Sequence, residues 1–303
     1  MLSLFTFYGI MAGVFTFGKQ VICYASPLFL TGIRIAPGGI IFLSYLYFFH
    51  RKDFIVKRSY LPLMAGYAIA VFCMDALRLL ALQYIPASNA ALISCTAPFI
   101  AAFFSWCFMN ERFDKVKIIA LIIGVAGMIP LLVEHVQAHN DLALNTIIIC
   151  YLGAFASTLG TVLCGIISKT LIEKKGCPFF LCLGSGMLGG GLLGFISSLL
   201  FETWNPLPVS DLWPALQLIS FLFATHTLIA YPLYGYLILK YSVTLVAFGQ
   251  LSVPFIAAIL GYIFYSQPIG VTFFISLLIL SGSFWLFYKE ELYLLSRIRK
   301  QNS

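Results

Sequence analysis

Long apolar segments follow one another along almost the whole chain, separated mostly by short loops, and this succession constrains the fold more than any other feature. A helix needs roughly 20 apolar residues to cross a hydrocarbon core of about 30 Å. Of the 303 residues, 61% are hydrophobic and 10% are charged, against about 45–50% and about 25% in soluble domains. A globule of this size still needs a polar surface, so most of the chain is predicted to lie in lipid.

Charged and turn residues delimit ten predicted transmembrane helices, which leave no room for a soluble domain. The predicted segments are Leu2–Cys23, Pro27–Phe49, Tyr60–Leu82, Pro86–Phe108, Val116–Val133, Leu144–Ser168, Pro178–Phe201, Leu212–Leu239, Ser242–Tyr265 and Ile269–Phe287. The predicted fold class is therefore an all-α integral membrane protein with ten transmembrane helices.

Apart from Lys19, Arg34 and Arg78, the lysine and arginine residues fall on one side only. The fifteen residues are Arg51, Lys52, Lys57, Arg58, Arg112, Lys115, Lys117, Lys169, Lys174, Lys175, Lys240, Lys289, Arg297, Arg299 and Lys300. The only charges of the opposite loops are Glu134, Asp141, Glu202 and Asp211. Because cytoplasmic loops are enriched in lysine and arginine, both termini are predicted to be cytoplasmic.

The chain also repeats itself. Pro98–Ala102 in the fourth predicted helix recurs letter for letter as Pro254–Ala258 in the ninth, and the second and seventh helices open similarly at Pro27 and Pro178. Because five is odd, two homologous five-helix halves must enter the membrane with opposite polarity, which is an inverted repeat typical of secondary transporters. The predicted division is a first repeat at 1–133, a linker at 134–143, a second repeat at 144–288 and a cytoplasmic tail at 289–303.

Other classes of function are disfavoured. The net charge of +7 is spread over short loops rather than one face, so nucleic acid is not a predicted partner. The eight cysteines lie in or beside apolar segments without CxxC or metal spacing, which indicates free thiols and predicts no metal and no cofactor. An enzyme is disfavoured because no H-E-x-x-H motif, paired intramembrane carboxylates or nucleophile near a histidine occurs. An ion channel is disfavoured because the sequence contains no filter-like loop.

Besides Lys117 at the cytoplasmic start of the fifth, four charged residues lie inside predicted helices: Lys19, Arg34, Asp75 and Arg78. Such groups are costly in a membrane and usually face a bundle interior or an aqueous cavity. Arg34 is seven residues from the outer end of its helix, or about 10 Å deep, and the others lie at similar depth. One shared cavity is therefore predicted, and three cations against one anion favour an anion, or a zwitterion whose amine meets Asp75.

Structural alternatives exist for three of these residues. Lys19 can extend to the outer headgroups, and Asp75 with Arg78, at i and i+3, can neutralise each other on one helix. Arg34 is the best ligand candidate because its planar guanidinium matches a carboxylate or phosphate.

Uncharged polar residues near the predicted midplane complete the candidate site: His226, Tyr231, Tyr234, Gln250, Asn89 and Ser94. His226 is either an interhelical contact or a proton carrier. The tyrosines can stack on a flat ring or contact an organic cation, or serve packing alone.

Backbone features suggest where the bundle moves. Pro98 and Pro254 each remove a helical hydrogen bond at equivalent positions, so they are predicted hinges, with plain structural bends as the alternative. Gly186, Gly190 and Gly194 stand four residues apart, a spacing that lets helices approach closely.

The stretch from Ala81 to Ala102 (ALQYIPASNAALISCTAPFIAA), the Asn110–Phe113 segment NERF and the glycines Gly124 and Gly127 resemble the EamA type of the drug/metabolite transporter superfamily. That family also places an arginine where Arg34 stands. The second half departs from it, with Gln267 in place of Glu111 and Ser185 in place of Arg34.

The resemblance implies a ten-helix carrier of a bacterial inner membrane that works by alternating access. Its implied substrates are polar metabolites, and a zwitterion of the S-adenosylmethionine type, exchanged for S-adenosylhomocysteine, would suit the predicted arginine, lysine, aspartate and tyrosine cavity. The alternatives are an exporter of amino acids or other metabolites and, from another class, a membrane-embedded enzyme. The predicted partners are a small-molecule substrate and the lipid bilayer, and a homodimer is compatible with the prediction.

Overall fold

The protein is described by a computed structural model over residues 2–109, 115–127, 129–130, 133–134, 144–240, 252–266 and 269–301. Within these ranges the regular structure is helical, apart from one isolated bridge between Ala25 and Val209. The helices are α1 Leu2–Val21, α2 Pro27–Phe49, α3 Leu61–Leu82, α4 Ala87–Ser94, α5 Ala97–Met109, α6 Lys115–Ala126, α7 Leu144–Lys169, α8 Phe179–Phe201, α9 Leu212–Leu222, α10 Tyr231–Lys240, α11 Ser252–Tyr265 and α12 Val271–Gln301.

The all-α prediction is confirmed for these residues. Five helical segments are long and apolar enough to cross a membrane: Pro27–Phe49, Arg58–Leu82, Leu144–Lys174, Phe179–Phe201 and Leu212–Leu237. Shorter apolar helices occupy Ala87–Ala101, Ser252–Tyr265 and Val271–Ser283. The count of ten membrane-spanning helices stays a prediction.

Two of the predicted segments are not continuous α-helices. The fourth is divided into α4 and α5 by a turn at Cys95 and Thr96. The eighth contains a π-helical segment, Phe223–Ala230, between α9 and α10, and a second π-helical segment, Thr170–Lys174, follows α7. Because π-helical turns are rare and occur frequently at functional sites, the segment in the eighth predicted helix marks a place to look for function.

Helices α2 and α8 pack backbone against backbone. A Cβ atom at Gly39 would lie 2.4 Å from the amide nitrogen of Leu188, and one at Gly191 would lie 2.4 Å from that of Ala36. Such distances are shorter than any side chain tolerates, so these positions accept only glycine while the helices keep this separation. The contact is the small-residue packing that membrane helices use when lipid gives no hydrophobic drive for association.

The other helices surround this pair. Helix α3 lies against α7 and α8, α4 lies against α11, and α6 lies against α12. The hydroxyl of Ser283 on α12 donates to the carbonyl of Ala120 on α6. A Cβ at Gly127 would meet Ile279 at 2.7 Å, so small residues also set the α6–α12 separation.

The two ends of the bundle carry different charges. We call the end with Lys57, Lys169 and Lys175 the basic end, and the end with Glu202 and Asp211 the acidic end. At the acidic end the carboxylate of Glu202 accepts hydrogen bonds from the amides of Leu28 (2.7 Å) and Phe29 (2.9 Å) at the start of α2. Free amides at a helix start attract negative charge, so Glu202 fastens the end of α8 to the start of α2.

Candidate functional site

A buried ionic cluster joins α2 and α3. Atom Nη2 of Arg34 donates to both carboxylate oxygens of Asp75, and Nη2 of Arg78 donates to Oδ1 of the same carboxylate. The side chains of Arg34, Asp75 and Arg78 are 3%, 0% and 5% exposed. One carboxylate therefore lies between two guanidinium groups inside the bundle.

His226 in the π-helical segment completes the cluster from the other side. Its Nδ1 atom lies 3.1 Å from Nη1 of Arg34. Arginine has only donors, so Nδ1 accepts, which assigns the ring its neutral form with the proton on Nε2. Arg34 thus contacts Asp75 through one terminal nitrogen and His226 through the other.

A glycine of α2 allows the π-helical segment to approach. A Cβ atom at Gly38, one helical turn beyond Arg34, would lie 2.4 Å from the methyl group of Thr227. The neighbouring His226 is consequently held against the arginine. The sequence offered no signal for the π-helical geometry itself, although the position of His226 in the middle of a predicted membrane helix indicated a polar contact inside the bundle.

The cluster carries excess positive charge. Two arginines (+2) and one aspartate (−1) sum to +1 when His226 is neutral, and within the described ranges no second carboxylate pairs with either arginine. Two buried polar atoms of this neighbourhood, Nε of Arg78 and Oγ1 of Thr227, make no hydrogen bond. Because unbalanced buried charge and unpaired polar atoms are costly, the arrangement suits an anionic, hydrogen-bonding ligand.

Lys19 lies apart from this cluster. Its ammonium donates to the carbonyls of Leu82 and Gln83, the latter at 3.1 Å, where α3 ends. Carbonyls at a helix end lack intrahelical donors and favour a cation. In this conformation Lys19 therefore caps α3, whereas the sequence alone allowed it either to reach the headgroups or to bind substrate.

The two predicted tyrosines lie on the basic side of the cluster. The ring of Tyr231 is 4.9 Å from that of His226, and its buried hydroxyl has no hydrogen-bond partner. The ring of Tyr234 stacks on Phe7 of α1 at 5.6 Å. Tyr231 thus adjoins the cluster directly, and Tyr234 lies one turn farther away.

The comparisons with known proteins bear on the class of this molecule. Residues 1–133 match the EamA-like transporter family. The chain is 27% identical over 295 residues to the S-adenosylmethionine/S-adenosylhomocysteine transporter of Chlamydia muridarum (93% of this chain, 89% of that protein). The protein is a transporter, and its residues 1–133 are similar to the EamA-like family. The family resemblance and the expectation of a transporter rather than an enzyme are confirmed.

Further matches agree with a transporter. The S-adenosylmethionine/S-adenosylhomocysteine transporter of Chlamydia trachomatis serovar L2 is 26% identical (93% of this chain, 86% of that protein), and the uncharacterized transporter YvbV of Bacillus subtilis is 25% identical (92% and 88%). A solved crystal structure shares the fold, with a TM-score of 0.64 at 16% identity over 94% of each chain. The transporter relatives and the five long apolar helices of the described residues indicate a multi-pass transporter embedded in a membrane.

The remaining polar candidates lie elsewhere. Asn89 of α4 donates to the hydroxyl of Tyr151 at 3.2 Å, and the hydroxyl of Ser94 donates to the carbonyl of Ala91 at 2.6 Å. These contacts satisfy the α4 region internally and do not reach the ionic cluster. Gln250 lies outside the described residues.

The predicted hinge and packing residues occupy distinct surroundings. Pro98 is the second residue of α5, directly after the turn that divides the fourth predicted helix, and Pro254 is the third residue of α11. At a helix start a missing amide costs little. Gly186 and Gly190 face α3, at Tyr67 and Val71, whereas Gly194 faces Gly32 of α2.

Residues that could hold a metal ion are not grouped in the described part of the chain: no cluster of three histidine, cysteine, aspartate or glutamate side chains occurs there. The arginines beside Asp75 further disfavour a cation at that carboxylate.

Proposed function

We propose that this EamA transporter is a secondary carrier of a zwitterionic, nucleoside-containing metabolite, exchanging S-adenosylmethionine for S-adenosylhomocysteine across a bacterial inner membrane. The observation that carries the proposal is the buried cluster of Arg34, Asp75, Arg78 and His226 with its net charge of +1. The names of the two chlamydial relatives supply the solute class.

The cluster offers a partner to the carboxylate and to the ammonium of an amino-acid group. A substrate carboxylate would take the place of Asp75 on the guanidinium of Arg34, with the planar fork giving it two hydrogen bonds. Asp75, released from Arg34, would then face the substrate ammonium. In this arrangement two arginines and an ammonium meet two carboxylates, so the loaded site keeps a net charge of +1 with S-adenosylhomocysteine and reaches +2 with the sulfonium of S-adenosylmethionine.

Alternating access between two inverted five-helix repeats is part of the proposal. Its support is the pairing of helices in corresponding positions: α2 with α8, α4 with α11, and α6 with α12, which are the second and seventh, fourth and ninth, and fifth and tenth predicted segments. A two-fold axis in the membrane plane produces such pairs. At the acidic end Glu202 and Lys19 bind neighbouring helix ends, and alternating access requires these contacts to break when the site opens to that side.

Counterflow in reconstituted vesicles tests the function. Vesicles loaded with unlabelled S-adenosylhomocysteine should take up labelled S-adenosylmethionine with saturation, and Arg34→Ala should reduce uptake to that of empty vesicles. Arg34→Lys should recover only part of it, because an ammonium keeps the charge but loses the fork. Uptake of methionine or other amino acids without S-adenosylmethionine counterflow would favour the amino-acid exporter, and normal transport by Arg34→Ala would remove the cluster from the site.

A further inference from the structure

A narrow cavity lies on the basic side of the ionic cluster, between α3, α7, α8 and α10. Its walls include Tyr67, Met74, Cys164, Cys182, Tyr231 and Tyr234, and Lys169 stands at the basic end of the same cavity. Met74 precedes Asp75 in α3, and the ring of Tyr231 is 4.9 Å from His226. The cavity therefore begins where the cluster ends.

The chemistry of these walls differs sharply from that of the cluster. No carboxylate lines the cavity, and Lys169 at its margin is the one charged residue among the lining side chains. Tyrosine rings offer flat faces for stacking, and the sulfur atoms of methionine and cysteine are polarizable partners for aromatic groups. Such walls suit an uncharged flat ring and would penalise a carboxylate or a phosphate.

We propose that this cavity, which we call the ring pocket, holds the aromatic heterocycle of the substrate while the cluster holds its amino-acid group. This proposal rests on the proposed function, because only a nucleoside-containing amino acid carries both a heterocycle and an amino-acid group. The hydroxyl of Tyr231, buried and without a hydrogen-bond partner, adds a donor that a ring nitrogen can accept.

Two glycines bring walls of the ring pocket close together. Its volume of about 40 Å³ leaves space for a few water molecules at most, so a heterocycle enters only if walls move. A Cβ atom at Gly186 would lie 2.1 Å from Cδ1 of Tyr67, and one at Gly235 would lie 2.5 Å from Cε2 of Phe179. Both rings line the ring pocket and rest against bare backbone, so they are the walls that we expect to move.

Competition against S-adenosylmethionine counterflow tests the assignment of the ring. Gly186→Ala should force the Tyr67 ring off α8 and weaken inhibition by S-adenosylhomocysteine about tenfold, whereas inhibition by methionine, which lacks the ring, should change less than about twofold. Tyr231→Phe should act in the same direction by about threefold to tenfold. The matched control is Gly66→Ala, whose Cβ would meet only Ile167 at 3.8 Å. Equal losses for both inhibitors would overturn the proposal.

Two native thiols provide a readout that needs no transport. Cys164 and Cys182 line the ring pocket, so a variant that keeps them and replaces the other cysteines (Cys23, Cys73, Cys95, Cys107, Cys150 and Cys177) reports on its occupancy. Adenosine should slow their alkylation by N-ethylmaleimide at least threefold, and methionine should not. Alkylation unaffected by adenosine would overturn the ring pocket. Protection by adenosine together with failed S-adenosylmethionine counterflow would uphold the pocket and reject the proposed substrate.

Discussion

Arg34 of α2 and Asp75 of α3, 41 positions apart in the sequence, form an ion pair that is buried from solvent, in which one guanidinium nitrogen donates to both carboxylate oxygens. The guanidinium is thereby occupied by the protein's own carboxylate and by His226. Under the proposed function, substrate binding is an exchange of carboxylates, and the affinity measured is the difference between the two pairings.

The first prediction concerns the stability of the cluster. Asp75→Asn leaves two buried arginines without a carboxylate, so it should lower the free energy of unfolding by about 3–5 kcal/mol. Adding Arg78→Gln restores the net charge to +1 and should recover most of this loss. Chemical unfolding in detergent measures both. An Asp75→Asn variant as stable as the wild type would show that the pair is dispensable, and a stable double variant without transport would place Asp75 in contact with substrate or proton.

A second prediction concerns the contact between α2 and α8. Gly39→Ala would bring a Cβ atom to 2.4 Å from the backbone nitrogen of Leu188, and a backbone cannot swing aside. The helices must separate, so we expect a loss of about 1–3 kcal/mol in unfolding free energy. Gly9→Ala on α1 is the control, because no atom lies within 4 Å of its Cβ. Equal stability of the two variants would mean that the helices approach less closely than described.

A third prediction addresses Glu202 at the acidic end. Glu202→Ala removes the acceptor of the Leu28 and Phe29 amides and should cost about 0.5–2 kcal/mol, as for other lost helix caps. Glu173→Ala is the matched control, since its ion pair with Lys169 at 3.9 Å is solvent-exposed and should contribute at most about 1 kcal/mol. Thermal unfolding of the two variants compares them, and a larger loss for Glu173→Ala would contradict the capping role.

A fourth prediction concerns Pro98. Alanine at this position supplies an amide that favours joining α4 to α5 across Cys95 and Thr96. We expect Pro98→Ala to slow exchange several-fold while substrate binding changes little. The reason is that the turn between α4 and α5 is the proposed hinge but makes no contact with the ionic cluster. Pro254→Ala should behave alike if the repeats are equivalent. Initial exchange rates and equilibrium binding separate the effects, and unchanged rates in both variants would remove the hinge.

A fifth prediction fixes the orientation. Reporters fused after residues 55, 138, 206 and 303 should read cytoplasmic, external, external and cytoplasmic, because the fifteen lysines and arginines other than Lys19, Arg34 and Arg78 share one side. A cytoplasmic reporter at 138 would contradict both the orientation and the inverted repeat.

Much of the candidate site was open to prediction from single residues. A charged residue in a membrane segment must face the interior, so Arg34, Asp75 and Arg78 could be placed together before any contact was known. Lys19 satisfied the same rule but lies at the end of α3, because a long side chain near a helix end has several partners within reach. The spacing of apolar residues along a helix does not indicate which of these partners Lys19 contacts.

The sequence by itself determined the all-helical fold and the membrane setting, because lipid offers no hydrogen-bond partners and each apolar segment must satisfy its own backbone. The tertiary structure alone decided that His226 meets Arg34, that the eighth predicted segment turns π-helical there, and that Gly186 seats the Tyr67 ring. These features depend on which helices are neighbours and how closely they approach. Backbone contacts such as that of Gly39 with Leu188 set those distances, and they join residues far apart in the chain, beyond the reach of any local pattern.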